Sequence, residues 1–153
     1  MSPRDVETRM REVSQLRELQ RQRAAMTAWK STMASHHARD DERRDLDVVS
    51  SVEAEWGRSM SATSLDPSHA SAWAAIHAVA RRASERSSAT ARHAEKEEVA
   101  TLAELGTAKM LAQHAARDAA KAATRRRRTD EARQESLMVE LRLARRMHDE
   151  DRL

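Results

Sequence analysis

The sequence predicts an all-α protein made of two long helices. Only two of its 153 residues are Gly and two are Pro, and 35% are charged. Aromatic residues make up 2%, with no Phe or Tyr, so large side chains are too few to fill a globular core. Charged, alanine-rich chains with few helix breakers are typical of long helices and coiled coils. Disorder is the competing interpretation for such a charged chain, but disordered chains usually contain more Pro and Gly.

The first helix is expected over residues 3–62. Pro3 follows the small polar Ser2, and proline is favoured at the first position of a helix. Apolar residues then recur at three- and four-residue steps, as on one helix face, at Val6, Met10, Val13, Leu16, Leu19, Met26, Trp29 and Met33. After a polar stretch over 35–45, where the helix is either continuous or weakened, the stripe resumes at Leu46, Val49, Val52, Trp56 and Met60.

The bend is expected over residues 63–66 and the second helix over residues 67–150. Asp66 is a good N-cap, and Pro67 suits the first helical position. A helix of this length reaches on the order of 125 Å, at about 1.5 Å per residue. Its apolar face is predicted in two runs whose frame slips by one residue, the first Trp73, Ile76, Ala80, Ala83 and Ser87, the second Leu102, Leu105, Lys109, Ala112, Ala116, Ala119 and Ala123.

Folding the chain at Ser64 pairs residues whose numbers sum to about 129. Trp56 then faces Trp73 and clamps the turn, and elsewhere large residues on one helix meet small ones on the other. The predicted architecture is one elongated domain over 1–153, an antiparallel two-helix coiled-coil hairpin with an overhanging C-terminal helix. The alternative is that both apolar stripes serve a partner chain, as in a parallel homodimer.

In this register the second helix extends roughly 25 residues beyond the first, on the order of 35 to 40 Å. The extension begins with four arginines at 125–128 and contains the densest group of large aliphatic residues in the chain. An exposed apolar stripe on a helix ordinarily binds a groove or another helix. The predicted partner-binding residues are Arg125, Arg126, Leu137, Met138, Leu141, Leu143, Arg145, Arg146 and Met147.

The sequence contains no catalytic, phosphate-binding or nucleophile motif. A two-helix hairpin also offers no walled site that would shift pKa values, so we expect neither an enzyme nor a cofactor. His36, His37, Asp40 and Asp41 form two His/Asp pairs at i,i+4, a spacing that can bind a metal. Because a third ligand is missing, a solvated polar face is the favoured interpretation and no metal site is predicted.

The net charge of +3 comes from 28 basic and 25 acidic residues and does not by itself indicate nucleic acid. Four consecutive arginines can engage phosphates, but acids follow them and no aromatic residue lies between them to stack bases. A basic helical nucleic-acid-binding protein is therefore only the second alternative. No apolar run follows Met1 and no stretch approaches about 18 apolar residues, so we expect a cytosolic protein without a membrane span.

A hairpin of two long charged helices, whose longer second helix ends in Glu135, a Glu-Leu-Arg sequence at 140–142 and an Arg pair at 145–146, resembles the FliJ/YscO family of type III secretion and flagellar export. Members of the family are small cytosolic coiled-coil stalks that insert one end into a hexameric export ATPase, contact the export gate and in some cases bind chaperones. The resemblance implies that residues 125–147 lie at the end that faces the ATPase, beside a membrane-embedded apparatus. No gate-contact residue of the family can be matched here.

The resulting hypothesis is a stalk protein of a bacterial export apparatus that binds the export ATPase through its helical termini and contacts the gate or chaperones. In this hypothesis the aliphatic residues make the apolar contact and the arginines steer the protein towards acidic surfaces. The alternative is a bacterial coiled-coil scaffold or adaptor that self-associates through the same C-terminal stripe.

Overall fold

The computed structural model describes residues 3–61 and 66–150, with side chains over 4–61 and 66–145. It contains two helices, α1 (Pro3–Met60) and α2 (Pro67–Glu150), and no strand among the described residues. The predicted all-α fold of two long helices is confirmed. The polar stretch over 35–45 is regular helix, so α1 continues through it without interruption.

The two helices meet the bend in different ways. At the end of α1 the Ser61 amide donates to the Gly57 carbonyl oxygen at 3.2 Å, as the last helical turn closes. At the start of α2 the Ser68 amide donates to Asp66 Oδ1 at 2.9 Å, which confirms the predicted N-cap. This backbone hydrogen bond holds the pKa of Asp66 below its ordinary value. Of the bend predicted over 63–66, only Asp66 lies within the described residues.

The contacts divide the chain into two units. The first unit combines Met1–Gln22 with Thr107–Leu153, and the second is Arg23–Gly106. Each unit therefore contains one part of α1 and one part of α2.

In the second unit, the α1 and α2 segments run antiparallel. Ser88 donates a hydrogen bond to Glu42 at 2.6 Å, and His77 pairs with Glu53 at 3.0 Å. As the residue number rises on α1 it falls on α2, and in both pairs the numbers sum to 130. The α2 segment therefore returns along the α1 segment.

The least exposed residues of the second unit follow a seven-residue repeat on both helices. We call these positions, and their continuation into the first unit, the seam. On α1 they are Ala24, Ala28, Ser31, Ser35, Ala38, Glu42, Asp45, Val49, Val52 and Trp56. On α2 they are Ala70, Trp73, His77, Ala80, Ser84, Ser87, Ala91, Ala94, Glu98, Thr101 and Leu105. The seam is built mainly of Ala and Ser, with polar and charged residues at several positions.

In the first unit an ion pair joins the two helices. Arg126 donates to the carboxylate of Glu7 at 2.6 Å, and Arg11 donates to the same carboxylate at 2.8 Å. Glu7 is buried although it is charged, so these two guanidinium groups supply its partners. The seven-residue spacing of the seam continues here through Glu7, Ser14 and Arg21 on α1, and through Ala108, Ala112, Ala115, Ala119, Ala122, Arg126 and Thr129 on α2.

Two details of the predicted apolar faces are wrong. On α1, Leu16 and Leu19 were expected at the helix contact, yet they are 56% and 57% exposed. On α2 the frame does not slip by one residue, because a single seven-residue repeat connects Trp73 with Thr129. The physical reason is that small side chains occupy the contact and let the backbones approach closely, which leaves the long aliphatic side chains beside it.

Candidate protein interaction surface

Trp56 and Trp73 were predicted to clamp the turn together, but the ring contact of Trp56 in the described part of the chain is with His77. The rings of Trp56 and His77 lie 5.3 Å apart between centroids and are inclined by 57°. His77 also contacts the Glu53 carboxylate, so the three side chains form one cluster in the second unit. Trp73 is half-buried and lies one helical turn before His77. This cluster joins α1 to α2.

A second polar cluster lies further along the same unit. Arg39 donates to Glu95 at 3.1 Å and lies 3.7 Å from a Glu98 oxygen. The Ser35 hydroxyl, then Thr32 and the charge of Arg39, lower the pKa of Glu98. Ser35 is nevertheless fully buried, and its Oγ forms no hydrogen bond of ordinary geometry with the described residues. Polar groups therefore occupy part of the helix contact where apolar ones are usual.

The arginine block at 125–128 is divided between internal and outward contacts. Arg126 bonds Glu7 and also lies 3.4 Å from Asp130, and the hydrogen bond to Glu7 raises the pKa of Arg126. Arg127 donates to Glu131 at 2.9 Å along the helix surface. Arg125 is exposed beside an open groove of about 530 Å³ between the helices of the first unit. Of the two arginines predicted to bind a partner, Arg126 is engaged internally and Arg125 points outward.

The apolar residues predicted to bind a partner are all exposed where they are described. Leu137 and Leu141 are 58% and 60% exposed, and Met138 and Leu143 are similar. Every residue over 131–145 is exposed, which sets this stretch apart from the rest of α2, where one side is covered. We call residues 131–145 the C-terminal segment. An apolar group left in water is unfavourable and characteristic of an interaction site.

The apolar face of the C-terminal segment does not continue the seam. Extending the seven-residue repeat beyond Arg126 and Thr129 brings Arg133, Ser136, Glu140 and Leu143 onto the seam side. Leu137, Leu141 and Ala144 each follow one of those positions by one residue, which is a rotation of about 100° around the helix axis. Leu137 and Leu141 therefore lie on a different face from the intramolecular contact, whereas Leu143 lies on the seam side.

Charged side chains accompany this apolar face. Arg145 is exposed at the end of the described side chains, whereas the side chains of Arg146 and Met147 lie outside the described residues. The segment also contains Glu131, Glu135, Glu140 and Arg142. The acids are mostly in its first half and the arginines in its second half, which gives the surface a polarity along the helix.

Among the described residues, no helix combines the length and apolar character needed to cross a membrane. In the same part of the chain, no three His, Cys, Asp or Glu side chains lie close enough to hold a metal ion, and His36 and His37 are both exposed. The sequence interpretation missed the polar character of the seam, although Ser35 and Glu42 on α1, and Ser84 and Glu98 on α2, already show its seven-residue spacing in the sequence.

The comparisons with known proteins find no relative of this chain. No family model matches the chain, and neither the curated proteins nor the solved structures include a significant match.

Proposed function

We propose that this protein is a non-catalytic helical adaptor that binds another protein through the C-terminal segment. One observation carries the proposal, namely that the densest group of large aliphatic side chains in the chain is exposed and that Leu137 and Leu141 within it lie away from the seam. Burying Leu137 and Leu141 against a partner would remove apolar surface from water, at roughly 25 cal/mol per Å². An amphipathic helix that docks into a groove or along another helix uses this spacing of anchors.

The partner that fits the proposal is the hexameric export ATPase of a type III secretion or flagellar apparatus. The resemblance to the FliJ/YscO stalks supports this assignment, as do two long antiparallel helices and an apolar segment near the end of the second one. In this proposal the protein is an antiparallel coiled-coil hairpin whose overhanging C-terminal helix enters the ATPase ring. It works in the cytoplasm beside the membrane-embedded apparatus, where the export gate and chaperones are further partners.

The arginines have distinct roles in this proposal. Arg145 and Arg125 are exposed and attract acidic surfaces of the partner, an effect that weakens as salt rises. Arg126 acts inside the protein, because it neutralises the buried Glu7 and so stabilises the end of the helix pair from which the C-terminal segment continues. The same internal pairing makes the arginine block a poorer ligand for nucleic acid, since Arg126 and Arg127 already bind carboxylates.

The test replaces two leucines of the C-terminal segment by aspartate. The Leu137→Asp/Leu141→Asp variant should capture at least tenfold less export ATPase than the unmodified chain, because two charges would enter an apolar contact. The matched control is Leu16→Asp/Leu19→Asp, which changes two leucines of nearly equal exposure on α1. Captured proteins are identified by mass spectrometry, and helicity is measured by circular dichroism.

The proposal is supported if the control captures the ATPase as the unmodified chain does while the C-terminal variant loses it and keeps its helicity. Equal capture by both variants, or loss in the control alone, would contradict the assigned surface. Absence of the ATPase from every sample, with a different protein retained in a Leu137- and Leu141-dependent way, would preserve the adaptor function and overturn the export assignment.

A further inference from the structure

The C-terminal segment carries a charge order that is complementary to itself. Two of its three acids, Glu131 and Glu135, lie in its first half, and two of its three arginines, Arg142 and Arg145, lie in its second half. Two copies of the segment aligned antiparallel bring the acidic start of each beside the basic end of the other. Aligned in parallel, they would place the acidic starts side by side and the basic ends side by side, which is repulsive.

The apolar face sets the register of the antiparallel alignment. When Leu137 of one copy faces Leu141 of the other, facing numbers sum to 278, and Gln134 then faces Ala144. Beside this apolar contact, facing residues have numbers that sum to two less than in the contact itself. Glu131 of one copy therefore lies opposite Arg145 of the other. Twofold symmetry repeats each of these contacts, so two leucine pairs and two ion pairs form at once.

We infer that the free protein forms a homodimer in which the C-terminal segments of two copies pair antiparallel in this register. The inference rests on the proposed function, since it names a second copy of the chain as an occupant of the same docking surface. All the residues that it uses, Glu131, Leu137, Leu141 and Arg145, are exposed within the described part of the chain. A protein partner that binds the segment must displace the second copy, so dimerisation keeps the apolar face covered until that partner arrives.

Glu131 already has a partner within its own chain, the neighbouring Arg127 at 2.9 Å. Both side chains are more than half exposed, and an exposed pair at i,i+4 contributes little in water. The Glu131 carboxylate can therefore accept an arginine of a second copy without a large loss. Replacing Glu131 by Arg removes this local pair with Arg127, and the second substitution, Arg145→Glu, does not restore it.

The test exchanges the charges of the proposed intermolecular pair. Sedimentation equilibrium of the full chain should show a monomer–dimer equilibrium. Glu131→Arg and Arg145→Glu should each weaken dimerisation by on the order of tenfold, since each creates two like-charge contacts by symmetry. The double variant should return to within about threefold of the unmodified chain. Glu85→Arg, the same charge change at an exposed acid of the second unit, is the control and should leave dimerisation unchanged.

The relative orientation of the two paired segments is tested by cysteine crosslinking. Because the chain contains no cysteine of its own, only the introduced cysteines can form a disulfide. A mixture of Gln134→Cys and Ala144→Cys chains should form a disulfide-linked heterodimer, while either variant alone should not crosslink to itself. Self-crosslinking of Gln134→Cys would show the parallel arrangement and overturn the inference. A chain that remains monomeric at every concentration, or a double variant as weak as the single ones, would also overturn it.

The inference and the proposed function fail in different measurements. If the chain is monomeric but still captures the ATPase through Leu137 and Leu141, only the homodimer is rejected. If it dimerises in the expected register and binds no ATPase, the export assignment is rejected and the docking surface remains. Adding a binding-competent partner to the dimer should release monomers, which sedimentation velocity measures directly.

Discussion

Ala28 and Ala91 are buried in the seam of the second unit at 2% and 4% exposure, whereas Leu137 and Leu141 of the C-terminal segment are 58% and 60% exposed. A globular protein usually places its large aliphatic residues inside and its small or polar ones on the surface. This chain does the reverse in the two regions. The difference indicates that the seam and the C-terminal segment meet different requirements.

The seam requires close approach along a great length. Alanine and serine side chains contribute little apolar burial each, but they let two helices pack closely over many turns. Polar contacts between the helices, such as Glu42 with Ser88 and Arg39 with Glu95, then restrict which residues can face each other. The first contact is partly buried and the second is exposed, so they favour one register more than they add stability.

The C-terminal segment differs from the seam because it presents a few large apolar side chains on one exposed helix face. Leu137, Leu141 and Ala144 repeat at four- and three-residue steps on one face, and no α1 residue covers them among the described residues. Helix stability there depends on backbone hydrogen bonds and on propensity, since the exposed side chains contribute no burial. Under the proposed function, these apolar residues bind another chain.

The largest expected effect comes from replacing valine by aspartate in each of the two regions. Val49→Asp should lower the free energy of unfolding by about 3 kcal/mol, because it places a carboxylate at a buried seam position. Val139→Asp should change it by less than about 0.5 kcal/mol beyond the difference in helix propensity. The two valines are 9% and 54% exposed. Thermal unfolding followed by circular dichroism measures both, and equal losses would show that the C-terminal segment is covered in the free monomer.

The sequence predicted the helices well because their signals are local. Few Gly and Pro residues, the Asp66 cap and Pro67 determine where helices begin and end without reference to distant contacts. The sequence also predicts the exposed apolar face at Leu137 and Leu141, since large aliphatic residues at helical spacing are conspicuous in a chain that has few of them. Whether they bind a partner remains a prediction.

The seam could not be predicted in the same way. Periodicity analysis weights large apolar residues, so it selected Leu16 and Leu19, whereas the buried face passes through Glu7, Ser14 and Arg21. Glu7 is buried between the nearby Arg11 and the distant Arg126, and the second contact joins residues 119 positions apart. Local pattern cannot reveal a position whose burial depends on a distant partner.

A smaller effect is expected when serine is replaced by alanine in each region. Ser31→Ala should raise the free energy of unfolding by about 1 kcal/mol more than Ser136→Ala, because it removes a buried hydroxyl that has no hydrogen-bond partner among the described residues. Ser136→Ala at an exposed position reports the gain in helix propensity alone, about 0.5 kcal/mol or less. Urea unfolding of both variants measures the difference. A Ser31→Ala variant less stable than the parent would show that the hydroxyl contributes a hydrogen bond in solution.

The smallest expected effect concerns the start of α2, which a local cap stabilises instead of burial. The pKa of Asp66 is lowered in the folded chain by the Ser68 amide, so its contribution is present above the ordinary pKa of 3.8 and is lost as the pH falls through the lower folded value. Asn caps a helix as well as Asp does but does not titrate. Between about pH 6 and pH 2.5 the unmodified chain should therefore lose slightly more thermal stability than Asp66→Asn.

Amide hydrogen exchange shows whether this capping effect stays local. At low pH the first turn of α2, beginning at Ser68, should lose more protection in the unmodified chain than in Asp66→Asn, because only the parent loses its charged cap. Residues 131–145 should exchange at equal rates in the two proteins, since a cap acts within one helical turn. A difference in the C-terminal segment would mean that its helix depends on the cap, and the contrast between a packed seam and an independent docking segment would then be invalid.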